Sequence, residues 1–127
     1  MSTLGARLLS VTPGEVTIEL PWHDRLGQQH GVLHAGAVAS IADSACGYAA
    51  LSLMPPGAAV MSVEFKVNLL APGRGDRFVA LGRVRRSGRT ITVCDGAVRA
   101  IQNDEEREIA IVTATMIRLE GRPDLTD

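Results

Sequence analysis

Aromatic residues are scarce: Trp22, Tyr48, Phe65 and Phe78 are the whole set in a chain of 127 residues. Four rings are a poor stacking platform for unpaired bases. Lysine is scarcer still, with Lys66 alone, and neither charge is in excess, since 13 Lys+Arg stand against 14 Asp+Glu for a net charge of -1. Without a basic surplus the chain lacks the grip on a phosphate backbone that nucleic-acid binding draws on. Cysteine is limited to Cys46 and Cys94, far apart and without metal-ligand spacing, so both are expected to be reduced core fillers. His23, His30 and His34 complete no metal set, and no metal or redox cofactor is expected. The uncharged stretch from Ser44 to Val63 is broken by Pro55-Pro56-Gly57, which argues against a membrane span. The N-terminus lacks the apolar centre of a secretory signal, leaving the cytoplasm as the default compartment.

What is present is ordinary for one globular domain: 46% hydrophobic and 21% charged residues at a length typical of a single core. One domain is therefore expected over residues 1–127, with its core at about 8–119 and Gly121 to Asp127 a frayed tail. Strand candidates run from Leu8 to Val11 and from Glu15 to Leu20, split by Pro13-Gly14; Val16, Ile18 and Leu20 alternate with Glu15, Thr17 and Glu19. Pro21 to Val32 holds no period and reads as a long loop. From about His34 to Leu53 runs the one major helix, stopped by Pro55-Pro56.

Four extended segments follow, Ala59 to Leu70, Arg77 to Arg86, Arg89 to Ala100 and Glu108 to Leu119. They are separated by Ala71 to Asp76, Ser87-Gly88 and Asn103-Asp104-Glu105-Glu106. Val63, Phe65 and Val67 alternate with Glu64 and Lys66. The pattern predicts an α+β domain in which a curved antiparallel sheet wraps one central helix.

On that helix Gly36, Ala39, Ser40, Asp43, Gly47 and Ala50 form one stripe of small residues with a single carboxylate. A carboxylate with no pairing partner is costly to bury and is kept where chemistry or a partner needs it. The segment Gly31-Val-Leu-His34-Ala-Gly36-Ala-Val-Ala-Ser-Ile-Ala-Asp43, with Asp43 nine positions after His34, resembles the signature of hotdog-fold thioesterases of the phenylacetyl-CoA type. The likeness continues through Met61 to Pro72, Gly75-Asp76 and Arg85-Arg86-Ser87-Gly88-Arg89-Thr90.

The resemblance implies a catalytic carboxylate at Asp43, a backbone donor at Ala35, substrate contact at Gly36, and a serine at Ser62 that holds water or the carboxylate. It further implies that Arg86, Arg89 and Thr90 hold coenzyme A phosphates, and that sites form at a dimer interface, with dimers often paired into tetramers. Two positions depart from the pattern: Gln28 stands where the family has Asn, one methylene longer, and Ala35 replaces a glycine whose N–H alanine retains. His34 either orients the helix start or caps it.

The chemistry can be reached from the residues as well. Thioester hydrolysis needs a donor for the developing oxyanion, which the free N–H groups of a helix start supply, and a base or nucleophile, for which Asp43 is available. Ala35 and Asp43 lie eight residues apart, roughly 12 Å along one helix. One chain cannot bring them together, whereas two antiparallel helices centred on Ala39 can. An aryl- or medium-chain acyl-CoA thioesterase is thus expected; the alternatives are a hotdog dehydratase or hydratase using His30, and a non-catalytic acyl-CoA-binding dimer.

Overall fold

The computed structural model describes residues 1–120; the expected frayed tail, Gly121 to Asp127, lies outside the described residues. After a short 3-10 turn at Ser2–Leu4 come strands β1 (Arg7–Thr12) and β2 (Glu15–Pro21), a second 3-10 turn at Asp24–Leu26, and helix α1 (Ala35–Leu51). Strands β3 (Ala59–Leu69), β4 (Arg77–Ser87), β5 (Ile91–Gln102) and β6 (Glu105–Leu119) complete the chain. All pairings are antiparallel, in the order β1-β2-β4-β5-β6-β3, and α1 packs across the inner face. This is the hotdog arrangement.

The helix approaches the sheet closely because both partners are small there. Ala42, Ala45, Cys46 and Ala49 are buried, and Gly82 of β4 lies so near the Ala45 carbonyl that any β-carbon would collide with it. Ile18, Leu20, Ile41, Phe78 and Met116 fill the remaining core. Ala50, at the far end of the small-residue stripe, is fully buried. Of the other members, Gly36 is exposed and Ala39, Ser40, Asp43 and Gly47 are partly buried.

Several boundaries differ from the sequence expectation. The helix ends at Leu51, with Ser52 as its cap, because Ser52 N–H and Leu53 N–H bond back into the last turn before the proline pair. The turn after β5 is only Asn103-Asp104, both at positive φ (51° and 64°), the two-residue hairpin geometry that Asn and Asp tolerate. Glu105 and Glu106 therefore open β6 instead of closing a loop, and β5 begins at Ile91, leaving Arg89 and Thr90 in the turn. Glu19, expected on a solvated face, is only 4% exposed; its carboxylate accepts from Arg7 Nε at 2.6 Å and Arg77 at 3.2 Å.

The loop from Pro21 to Val32 carries no long element, yet it is pinned at several points. Gln28 N–H donates to Val32 O (2.8 Å), His34 N–H to Leu26 O (2.9 Å), and Leu33 N–H to Gly73 O (2.9 Å). These bonds fix Gln28 and the start of α1 against the β3–β4 connection.

Candidate active site

Asp43 sits midway along α1 and is half-buried. Ser62 Oγ donates to Asp43 Oδ1 at 2.6 Å, and the fully buried Met116 lies behind, its sulfur 3.4 Å from the same hydroxyl. Strict alternation along β3 would put Ser62 on the face of Glu64 and Lys66, away from the helix. A β-bulge reverses the phase: Ser62 pairs with Met116 and Glu64 with Thr115, leaving Val63 as the extra residue. Ser62 thus shares the inner face with Phe65 and Val67. Asp43, Ser62 and Met116, with Ser44, Gly47, Tyr48 and Val60, line a cavity of about 170 Å³. Tyr48 was not among the residues singled out by sequence; its place one turn beyond Ser44 was the available signal.

A second, larger cavity of about 590 Å³ opens at the other end of the sheet. Ala35 and Gln28 line it, with Val32, Leu33, Val38, Leu69, Leu70 and Ile109. Ala35 is the first residue of the helix, so its N–H has no intrahelical acceptor, and no other acceptor engages it among the described residues. The Gly36 N–H is differently placed, for it donates to Nδ1 of His34, the helix N-cap, at 2.9 Å. His34 therefore caps the helix. Another bulge shapes this end: Val98 pairs with Ala110 and Arg99 with Glu108, leaving Ile109 as the extra residue, buried at the cavity wall.

The remaining expected contacts lie at the Asp43 end. Ser62, Met116, Thr92 and Ser87 stand in register on four adjacent strands, so the arginine-bearing turn starts about 14 Å from Ser62. Arg86, Arg89 and Thr90 are exposed there, and no ion pair engages either arginine among the described residues. Arg85, by contrast, is paired with Asp95 at 3.3 Å. The chain thus brings Asp43 to Ser62 and Ala35 to Gln28, and leaves the two pairs in separate cavities.

Beneath Asp43 the two cysteines fill core space as expected. Burial, with the Cys94 sulfur next in importance, pushes the Cys46 thiol up to about 12, and burial with nearby Asp95 pushes Cys94 up to about 11. Both remain protonated thiols at neutral pH. Among the described residues no group of three or more His, Cys, Asp or Glu side chains is placed to hold a metal ion, and no helix is long and apolar enough to cross a membrane.

Residues 30–106 match the family described as the Thioesterase superfamily. The chain belongs to this superfamily. A thioesterase family protein from Silicibacter pomeroyi is 51% identical with a TM-score of 0.94, covering 95% of this chain and 89% of that one. The Escherichia coli PaaI protein from the phenylacetic acid degradation operon is 25% identical, TM-score 0.83, over 94% of this chain and 83% of its own. Medium/long-chain acyl-CoA thioesterase YigI of Escherichia coli is 30% identical over 97 residues, 66% of this chain and 61% of YigI. This thioesterase is accordingly a thioester hydrolase of hotdog fold.

Proposed function

We propose that the protein hydrolyses an aryl- or medium-chain acyl-CoA to the free acid and coenzyme A, without metal or redox cofactor, at sites shared between two chains. Asp43 of one chain acts as general base on water or as the nucleophile, held by Ser62. The Ala35 N–H of the other chain receives the oxyanion, Gln28 contributes a polar contact beside it, and Gly36 lies next to the substrate. The observation that carries this reading is the separation of Asp43–Ser62 from Ala35–Gln28 into two cavities along one helix.

The edge of the sheet supports a second copy. Phe65 and Leu69 pair with Ala114 and Ala110 and face the helix side, yet they are 45% and 56% exposed although α1 meets β3 at Ser62. An uncovered apolar edge strand of this length is a pairing surface that proteins rarely leave open. Antiparallel helices meeting at Ala39 would cover it and bring each Asp43 opposite the partner helix start. Dimers paired into a tetramer are part of the same proposal, as are phosphate contacts from Arg86, Arg89 and Thr90 and a cytoplasmic location.

The deciding experiment is thiol release from a panel of aryl- and alkyl-CoA thioesters. Turnover of at least one class is expected; tight binding of the whole panel with no thiol released would replace this reading with the acyl-CoA-binding dimer.

A further inference from the structure

The 590 Å³ cavity beside Ala35 has a graded lining. Leu33, Val38 and Ile109 are each at most 3% exposed and form its floor, while Leu70 is more than half exposed and forms its mouth with the exposed Gln28, His30 and Arg74. Its size lies within the range of small-molecule pockets. Val38 stands one turn beyond Ala35, so the floor begins directly behind the N–H assigned to the oxyanion. None of the four aromatic residues lines the cavity: Trp22 and Phe78 pack on each other with centroids 6.4 Å apart, Phe65 lies farther along β3, and Tyr48 lies at the Asp43 end.

Resting on the thioesterase reading above, we infer that this cavity is the acyl chamber, that it takes an unbranched alkyl chain in preference to an aromatic ring, and that Val38 and Ile109 set the chain length. An alkyl chain needs only apolar surface to leave water, which Leu33, Val38 and Ile109 supply. An aryl group gains from ring partners set edge-on or offset, and apart from the exposed His30 imidazole this chain places none in the cavity. The bulge at Ile109 is what turns that side chain into the chamber, for a regular β6 would bury only one of Ile109 and Ala110. The acyl group would then lie in the chain that supplies Ala35, and the coenzyme A phosphates would lie toward the Arg86–Arg89 turn of the chain that supplies Asp43.

The test is calorimetry with non-hydrolysable alkyl-CoA thioethers of increasing chain length, together with benzyl-CoA and phenylethyl-CoA thioethers, so that binding is read apart from turnover. For the unaltered protein, affinity should climb by about fourfold per added methylene until the floor is reached, and alkyl probes should bind more tightly than aryl probes of equal carbon count. Leu70→Glu, at the exposed mouth, should flatten that climb while leaving the shortest thioether unaffected. Val38→Ala should move the plateau to longer chains. Affinity independent of chain length, preference for the aryl probes, or a profile unmoved in folded Leu70→Glu protein would overturn the inference. Graded binding without thiol release from the matching thioesters would support the chamber and refute hydrolysis, so the two readings fail separately.

Discussion

The two ends of the helix carry opposite kinds of half-site. At the middle of α1 the cavity is small and polar, and its one catalytic candidate is held by a short bond from Ser62. At the start of α1 the cavity is more than three times larger and mainly apolar, with Gln28, His30 and Arg74 among its lining, and its candidate is a backbone N–H that any non-proline residue would supply. Each has what the other lacks: a carboxylate without a substrate chamber, and a chamber with an oxyanion donor but no carboxylate. Both are shaped by β-bulges, Val63 at one end and Ile109 at the other, which turn Ser62 and Ile109 inward where regular strands would not. On the proposed reading the difference makes catalysis a matter of assembly, since α1 holds the halves roughly 12 Å apart.

The comparison is broken most severely by Asp43→Asn, which keeps the shape and removes the base. Thiol release should fall on the order of 10² or more while the fold and oligomeric state persist, as checked by circular dichroism and sizing. Wild-type turnover by Asp43→Asn would remove Asp43 from the mechanism. Ala39→Trp should come next: Ala39 belongs to neither cavity, yet a bulky residue at the midpoint would force the helices apart, and about 1 Å of misplacement can cost on the order of 10² in rate. Full activity in that variant would contradict antiparallel helices meeting there.

Smaller effects sharpen the contrast. Arg89→Ala should raise KM for coenzyme A thioesters more than it lowers kcat, and should matter far less for a short pantetheine thioester. Equal losses on both substrates would return Arg89 to a solvated turn. The cysteines give the smallest effect and probe only the core under Asp43. An unfolded chain releases its thiol protons near 9.0, whereas the folded chain holds them until about 11 to 12, so folding stability should fall as pH rises above about 9. Chemical denaturation at pH 8 and pH 10.5 should show that decline, and Cys46→Ala should lessen it; equal slopes for both proteins would deny Cys46 a part.

Periodicity made the frame legible. The Ala-rich run before Pro55-Pro56 could hardly be anything but one helix, and alternation exposed the strands. The nine-residue step from His34 to Asp43 pointed to both ends of the candidate site, and helical rise set them apart. What escaped were the features that break a period. The bulge at Val63 put Ser62 on the inner face against the alternation of Glu64 and Lys66, and Glu19 was drawn out of solvent by Arg7 and Arg77, which are distant in sequence. The open turn conformation of Asn103 and Asp104 shortened a loop that composition made longer.

The central claim, that each site takes Asp43 from one chain and Ala35 from the other, is tested most directly by complementation. Ala35→Pro removes the N–H at a helix position where proline is tolerated, and His34 already has the extended backbone that a residue before proline requires. Asp43→Asn and Ala35→Pro proteins, each inactive alone, are unfolded together, refolded and assayed for thiol release. In a mixed dimer one site carries both defects and the other carries neither, so random pairing should restore about a quarter of wild-type activity. A mixture as inactive as its two parents would contradict the shared site.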